Sequence, residues 1–208
     1  MKLNAVAVLV STLAIAACNQ EGPVTGAQTT RTAPPGFACP PAGTTALSST
    51  GTRTNWRGAD PADPGVCLVT TVGAAGETQQ RRFLNYWIEP NPGSERARAA
   101  FRTLFPLELG KSARFSRFEQ DALGVPVTYE EQWRVLRRER IEVAGQPRDA
   151  FVVERLTGFA TQGAFRAVMT LWFDAPTGIV LRQDVSVMQG TWRGVGPAVV
   201  QELRVPGV

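Results

Sequence analysis

The sequence predicts a mainly β protein, with a single curled antiparallel sheet (a half-barrel) and one short helix. A signal peptide and a flexible tether precede it. Three observations predict this class. Apolar and polar residues alternate with period two over long stretches of the second half, short turns connect those stretches, and only one later segment carries helical spacing. A parallel sheet would need crossovers of a dozen or more residues, usually helical, and the chain does not supply them.

Residues 1–17 read as a leader. Lys2 is followed by an apolar run from Ala5 to Ala17, broken only by Ser11 and Thr12, with small residues before Cys18. A basic start, a short apolar segment and a small-residue cut site are the marks of a secretory signal peptide. The run is 13 residues long, too short for an ordinary spanning helix. From Cys18 to residue 36 the chain is rich in Gly, Pro, Thr and Gln, with little to bury, which predicts a flexible tether. Residues 37–208 are long enough for one domain with its own core.

Within that domain, Thr44–Arg57 and Val66–Val72 predict strands flanking a Gly/Pro/Asp turn region from Gly58 to Gly65. Arg82–Glu89 carries Phe83, Leu84, Tyr86, Trp87 and Ile88, a run expected of a strand buried on both faces. Asn91-Pro92-Gly93 stops it. Ser94 is then a candidate N-cap, with Glu95 favourably placed in the first turn. Ala97, Ala100, Phe101 and Leu104 fall at helical spacing, and Pro106 closes the segment.

From Val127 to Val143 the odd positions carry Val127, Tyr129, Trp133, Val135, Ile141 and Val143, while most even positions are polar. Glu131, Leu136, Arg137 and Glu139 break the pattern, which predicts a bulge or bend near 136–139. Ala144–Asp149 is a predicted turn. Strands are expected at Ala150–Thr157, Ala164–Asp174, Ile179–Met188 and Ala198–Val205, with Asp174–Gly178 as a hairpin connection.

Composition excludes several kinds of chemistry. There is no His among 208 residues, which removes the usual general base and any Ser–His or Cys–His pair. Neither Gly-x-Ser-x-Gly nor Ser-x-x-Lys occurs. Gly110-Lys111-Ser112 looks like the tail of a phosphate-binding loop, but the leading Gly falls on Phe105 and Pro106 interrupts it. Asp60 and Asp63 lie in a proline-rich turn, where Asp serves local hydrogen bonds more often than calcium. Glu130 and Glu131 point to opposite strand faces and cannot share a substrate. No catalytic residue, cofactor or metal is expected.

Two sets of residues are candidates for binding. Phe83, Trp87, Tyr129, Trp133, Phe151, Phe165, Trp172 and Phe173 could line an apolar ligand cavity on a curled sheet, with plain core packing as the alternative. Arg134, Arg137, Arg138 and Arg140, interleaved with Glu130, Glu131, Glu139 and Glu142, could bind anions or form a solvated mixed-charge face. The net charge is +4, and 20 of the 22 basic residues are Arg. For an exported chain, anionic lipid headgroups or peptidoglycan carboxylates are nearer partners than nucleic acid.

Ile15-Ala16-Ala17-Cys18 resembles the lipobox of bacterial lipoproteins. That resemblance implies a Cys18 carrying a diacylglyceryl group and an acylated amine, with the leader removed before it. Two or three acyl chains moor a protein firmly, whereas one gives only marginal binding. Residue 19 is Asn and not the Asp that retains enteric-type lipoproteins at the inner membrane. The outer membrane, facing the periplasm, is therefore the expected site. Cys39 and Cys67 then remain as a pair, expected as a disulfide in an oxidising compartment. Free thiols, or half a zinc site completed by carboxylates, are the alternatives.

In the second half, four stretches occur in order: Phe105-Pro106-Leu107-Glu108-Leu109-Gly110-Lys111, Trp133-Arg134-Val135 running to Glu142-Val143-Ala144-Gly145, Ala150–Arg155, and Trp172-Phe173-Asp174 with Gly178 and Leu181-Arg182. Together, over Leu104–Met188, they resemble the TapB-like envelope proteins of unknown function. Members often carry Val-Pro-Ala-Gly at the central turn, and here the Pro is absent. The resemblance implies a β-rich exported domain and supplies no catalytic residues. The expected role is a non-catalytic envelope lipoprotein binding a partner protein or an apolar envelope molecule. A His-free periplasmic hydrolase acting on envelope material is the alternative.

Overall fold

The structure is a computed structural model that describes residues 32–88, 95–120, 126–160, 165–191, 194 and 196–207, without the side chains of 87, 88, 119 and 120. Cys18, the leader, residues 18–31 of the tether and Ser94 lie outside the described residues. The strands are β1 (Thr45–Ser48), β2 (Arg53–Asp60), β3 (Asp63–Gly73), β4 (Gly76–Phe83), β5 (Trp87–Ile88), β6 (Ser112–Gln120), β7 (Pro126–Val143), β8 (Gln146–Phe159), β9 (Arg166–Asp174), β10 (Val180–Gln189) and β11 (Ala198–Arg204). Among the described residues the one α-helix, α1, spans Glu95–Arg102. No helix among the described residues is long and apolar enough to cross a membrane.

All eleven strands form one antiparallel sheet, in the order β5-β4-β3-β2-β1-β11-β10-β9-β8-β7-β6. The order consists of two meanders joined through the first and last strands, β1 and β11, with Thr45 opposite Arg204. The sheet is open but curled. β11 touches β7 across three intervening strands, and Leu203 packs into a cluster containing Val143. Consecutive strands elsewhere are neighbours, but β5 and β6 are the two opposite edges. Their connection must travel from one edge to the other, and α1 lies in it. This topology lays the helix across the hollow of the sheet.

The bulge expected near 136–139 is present in β7. Val135 faces Val153, and the register shifts before Arg137 pairs with Val152. One extra residue reverses which face a given parity points to. Trp133 and Val135 therefore share a face with Phe151 and Val153, whereas Ile141 and Val143 turn to the opposite side.

Four expectations are corrected. The turn region expected from Gly58 to Gly65 narrows to Pro61–Ala62, and the turn expected over Ala144–Asp149 narrows to Ala144–Gly145, because β2, β3 and β8 pair further into each turn. The first strand region divides into β1 and β2 around a turn at Ser49–Thr52. The run 82–89 is not one strand. β4 ends at Phe83, Leu84 and Asn85 adopt left-handed conformations (φ 48° and 57°), and the chain reverses into β5. Its apolar residues are consecutive because a buried turn is enclosed on every side, not because a strand has two dry faces. Leu84 is fully buried, and Asn85 Oδ1 accepts from Trp56 Nε1 at 2.6 Å while its amide donates to the Gly178 carbonyl at 3.1 Å. One side chain thus ties the β4–β5 turn to β2 and to the β9–β10 turn.

Candidate functional site

The inner face of the sheet is built around α1. Ala97 and Phe101 fall one turn apart, so both point inward, and both are buried. The Phe101 ring centre lies 4.7 Å from that of Trp133, with Phe105 at 6.0 Å, Phe115 at 6.3 Å and Phe83 at 6.4 Å. Tyr86 adds edge contact to Trp133 at 5.2 Å. Edge-to-face and tilted rings at these separations are the favoured aromatic geometries.

Of the aromatic candidates, Phe83, Trp133, Phe151 and Phe173 belong to this one packed cluster. Tyr129 and Phe165 are placed elsewhere, stacked through Phe159 at 5.1 and 5.4 Å toward the far end of the sheet. Trp172 belongs to a separate cluster with Ala150 and Val152, and the Arg182 guanidinium lies 4.6 Å over its ring. Trp87 pairs with Phe83 in the β4–β5 ladder, and its side chain is outside the described residues.

Among the described residues four carboxylates, Asp60, Asp63, Glu131 and Asp174, are buried, and each of them is met by arginine. Glu131 on β7 accepts from Arg155 Nε and Nη2 on β8 at 2.7 and 2.6 Å, from Arg117 Nε on β6 at 2.8 Å, and from the Thr157 hydroxyl at 3.1 Å. Asp63 meets Arg98 and Arg102 of α1, Asp60 meets Arg81, and Asp174 accepts from Arg148 Nε and Nη2 at 2.9 and 2.6 Å. Asp60 and Asp63 also accept from the backbone N–H of Ala62 and Gly65, as expected of Asp in a turn.

Burial pushes the Glu131 carboxyl upward, but the charges and hydrogen bonds of Arg155 and Arg117 outweigh it and hold the group below its ordinary value. Burial likewise lowers Arg155, yet its contacts with Tyr86 and Glu131 leave it more basic than usual. Arg117 is depressed by burial, only partly offset by Glu131. Arg155 also stacks near Trp133 and Tyr86, so the ionic cluster and the aromatic cluster share a wall. The sequence marks Glu131 as a break in alternation, as a carboxylate facing away from Glu130 and as part of a mixed-charge face, but not as the centre of a buried ion cluster. A charge at an inward position of a buried strand, matched by another on the next strand, was the available signal.

The β7 bulge divides the four candidate arginines. Arg134 and Arg137 lie on one face, while Arg138 and Arg140 lie on the face shared with Phe151. Arg137 pairs with Glu139 at 2.7 Å, and Arg138 lies 4.5 Å over the Phe151 ring. Arg140 comes within 3.9 Å of Asp149. At the far end of the sheet a groove of about 250 Å³ is lined by Arg114, Glu130, Gln132, Leu156, Arg166 and Gln189, among others. Among the described residues, no group of three His, Cys, Asp or Glu side chains could hold a metal ion.

Cys39 and Cys67 form a disulfide. It pins the segment before β1 to β3, and that segment reaches back across the helix. Phe37 packs edge-on against Phe105 at 5.3 Å, and Arg102 Nη1 donates to the Thr32 carbonyl at 3.3 Å.

No protein-family model and no curated protein matches this chain. The likeness to TapB-like proteins stays a resemblance of short motifs. Among solved structures, the chain is similar to the hypothetical lipoprotein YmcC of Escherichia coli K12. Identity is 14%, the match covers 82% of this chain and 89% of that one, and the TM-score is 0.48. It is also similar to a "putative lipoprotein" from Parabacteroides distasonis, at 11% identity over 81% of this chain and 98% of that one, with a TM-score of 0.44.

Proposed function

We propose that the chain is a non-catalytic lipoprotein of the bacterial envelope, moored at the outer membrane through a lipidated Cys18 and acting as a binding module for a partner protein. Mooring is supported by Lys2, the apolar run to Ala17 and Ile15-Ala16-Ala17-Cys18. The Cys39–Cys67 disulfide fits a domain that folds outside the cytoplasm.

The observation that favours a protein partner over an enclosed apolar ligand is the position of Phe101, whose ring sits against Trp133 in the middle of the inner face. A carrier keeps such a face empty for its cargo. Here the helix occupies it. A hydrolase without His would need free carboxylates converging in a cleft, whereas Asp60, Asp63, Glu131 and Asp174 each engage arginine.

Membrane fractionation of the wild type and Cys18→Ser tests the mooring. The wild type is expected with the membranes and the variant in the soluble periplasmic fraction. Tight membrane attachment of Cys18→Ser would contradict it. Mass spectrometry of an organic extract of the purified variant tests the occupant. No stoichiometric lipid is expected, and one lipid per chain would replace the adaptor reading with the carrier.

A further inference from the structure

We infer that the β6 edge is a self-association surface, pairing antiparallel with β6 of a second copy of this chain about a two-fold axis at Ser116. The two ends of the sheet are unlike. At one end β5 covers only Arg82 and Phe83 of β4. The edge there is otherwise Gly76–Arg81 of β4, which is polar, carries Glu77 and Arg81, and presents no large apolar side chain, a usual protection against pairing. The other is β6, nine residues without Pro or Gly.

Its side chains divide cleanly. Ala113 and Phe115 pack into the core, and Arg117 turns inward onto Glu131. The inward charge at Arg117, a common edge defence, is thus matched by Glu131. The outer-facing Arg114, Ser116 and Phe118 are all exposed, and Phe118 is the most exposed large apolar side chain among the described residues, at 67%.

The occupant follows from the order of these residues. A two-fold axis perpendicular to the sheet keeps each face continuous, so opposed residues must have the same parity. Centring the axis on Ser116 sets Arg114 opposite Phe118 of the second copy, twice, with Ser116 opposite itself. Arginine over an aromatic ring is favourable, and opposed side chains in an antiparallel pair have Cβ atoms about 4.5–5.5 Å apart. Centring on Phe115 would leave Phe118 facing Ser112, and centring on Arg117 would leave it facing Ser116. Only the Ser116 register covers both exposed rings with a guanidinium.

The test is a thiol cross-link in the full lipidated chain within its own membranes. Ser116→Cys adds one thiol, since Cys39 and Cys67 are already joined and Cys18, on the proposed mooring, carries its lipid. The Ser116 protein without the change, oxidised alongside, must give no linked species. Under mild oxidation it is expected to give a linked species of twice the chain mass. Adding Phe118→Arg, which opposes Arg114 with a like charge, should reduce that product at least tenfold, and adding Arg114→Glu as well should restore it. Retention of the Cys39–Cys67 bond and the circular dichroism spectrum serve as folding controls. The unmodified protein, weighed by light scattering in detergent, should be a dimer. A monomer, a cross-link indifferent to Phe118→Arg, a double variant that fails to recover, or a linked species of another mass would each overturn the inference.

Discussion

Arg155 on β8, whose cross-strand neighbour is Trp133, reaches diagonally to Glu131 on β7 with two parallel N–H···O bonds of 2.7 and 2.6 Å, and almost no part of either side chain reaches water. Bidentate arginine–carboxylate pairing of this kind combines charge with fixed geometry. The pair is flanked by Arg117, Thr157 and Tyr86, so β6, β7, β8 and the β4–β5 turn meet at one polar point beside the aromatic core.

Removing one partner leaves the other charge buried. Glu131→Gln is expected to destabilise the domain by about 3–5 kcal/mol, because two guanidinium groups lose their counter-charge. The double variant Glu131→Leu/Arg155→Met should lose less than the sum of the two single changes. Thermal or urea unfolding of the four proteins measures the coupling. Strict additivity would mean the pair contributes no interaction of its own.

Acid should weaken the fold through the same carboxylate. The folded-state pKa of Glu131 is depressed, so the unfolded chain binds the proton more readily. The stabilisation is complete above the unfolded value, about 4.3 for Glu, and is lost as pH falls from there through the folded value. Urea midpoints measured between neutral pH and pH 3 should drop below about pH 4.3 in the wild type, and Glu131→Gln should flatten that drop. An equal slope in both proteins would assign the acid sensitivity to other groups.

The disulfide should stabilise chiefly by restricting the unfolded chain. With a sequence separation of 28 between Cys39 and Cys67, the loop-entropy model gives about 3–4 kcal/mol. Reduction, or Cys39→Ser with Cys67→Ser, is expected to lower the unfolding free energy by that order. Phe37 should also become more exposed, since the pinned segment holds it against Phe105. Fluorescence-detected unfolding with and without reductant reads the first effect, and protease sensitivity near Phe37 reads the second.

The β7–β8 hairpin closes through Ala144 and Gly145, both with positive φ (53° and 75°). Glycine accepts this conformation, but alanine is strained in it, and asparagine is the residue hairpins of this type favour at the first central position. Ala144→Asn should therefore stabilise the protein by about 0.5–1 kcal/mol. A fall in melting temperature would show that the turn relaxes in solution.

Much of the sheet was legible because many of its strands alternate between a more buried and a more exposed side over several residues. β7 was found with its bulge, since a one-residue insertion leaves a visible break in parity at Leu136. β9, β10 and β11 were placed within two residues of their ends. β4 was missed because Gly76–Arg82 is polar and largely exposed, and its strand form comes from pairing with β3 rather than from a buried face of its own. β6 was also missed, although Ala113 and Phe115 alternate inward, because its other positions resemble a charged loop. The buried Arg155–Glu131 contact was only half legible: the parity of Glu131 places a charge on the dry face, but nothing in either strand fixes the register that brings Arg155 to it.

The amino-acid order by itself determined the class of fold, the short helix and the bulge, because each depends on local periodicity or turn chemistry, and it left Cys39 and Cys67 as the expected pair, which the structure joins. Tertiary structure alone decided that β1 meets β11, that the β5–β6 connection lays Phe101 against Trp133, and that each buried carboxylate finds an arginine. Those outcomes depend on contacts between residues distant in the chain. Their partners are chosen by sheet curvature and by the need to satisfy buried charge, neither of which is written in any one segment.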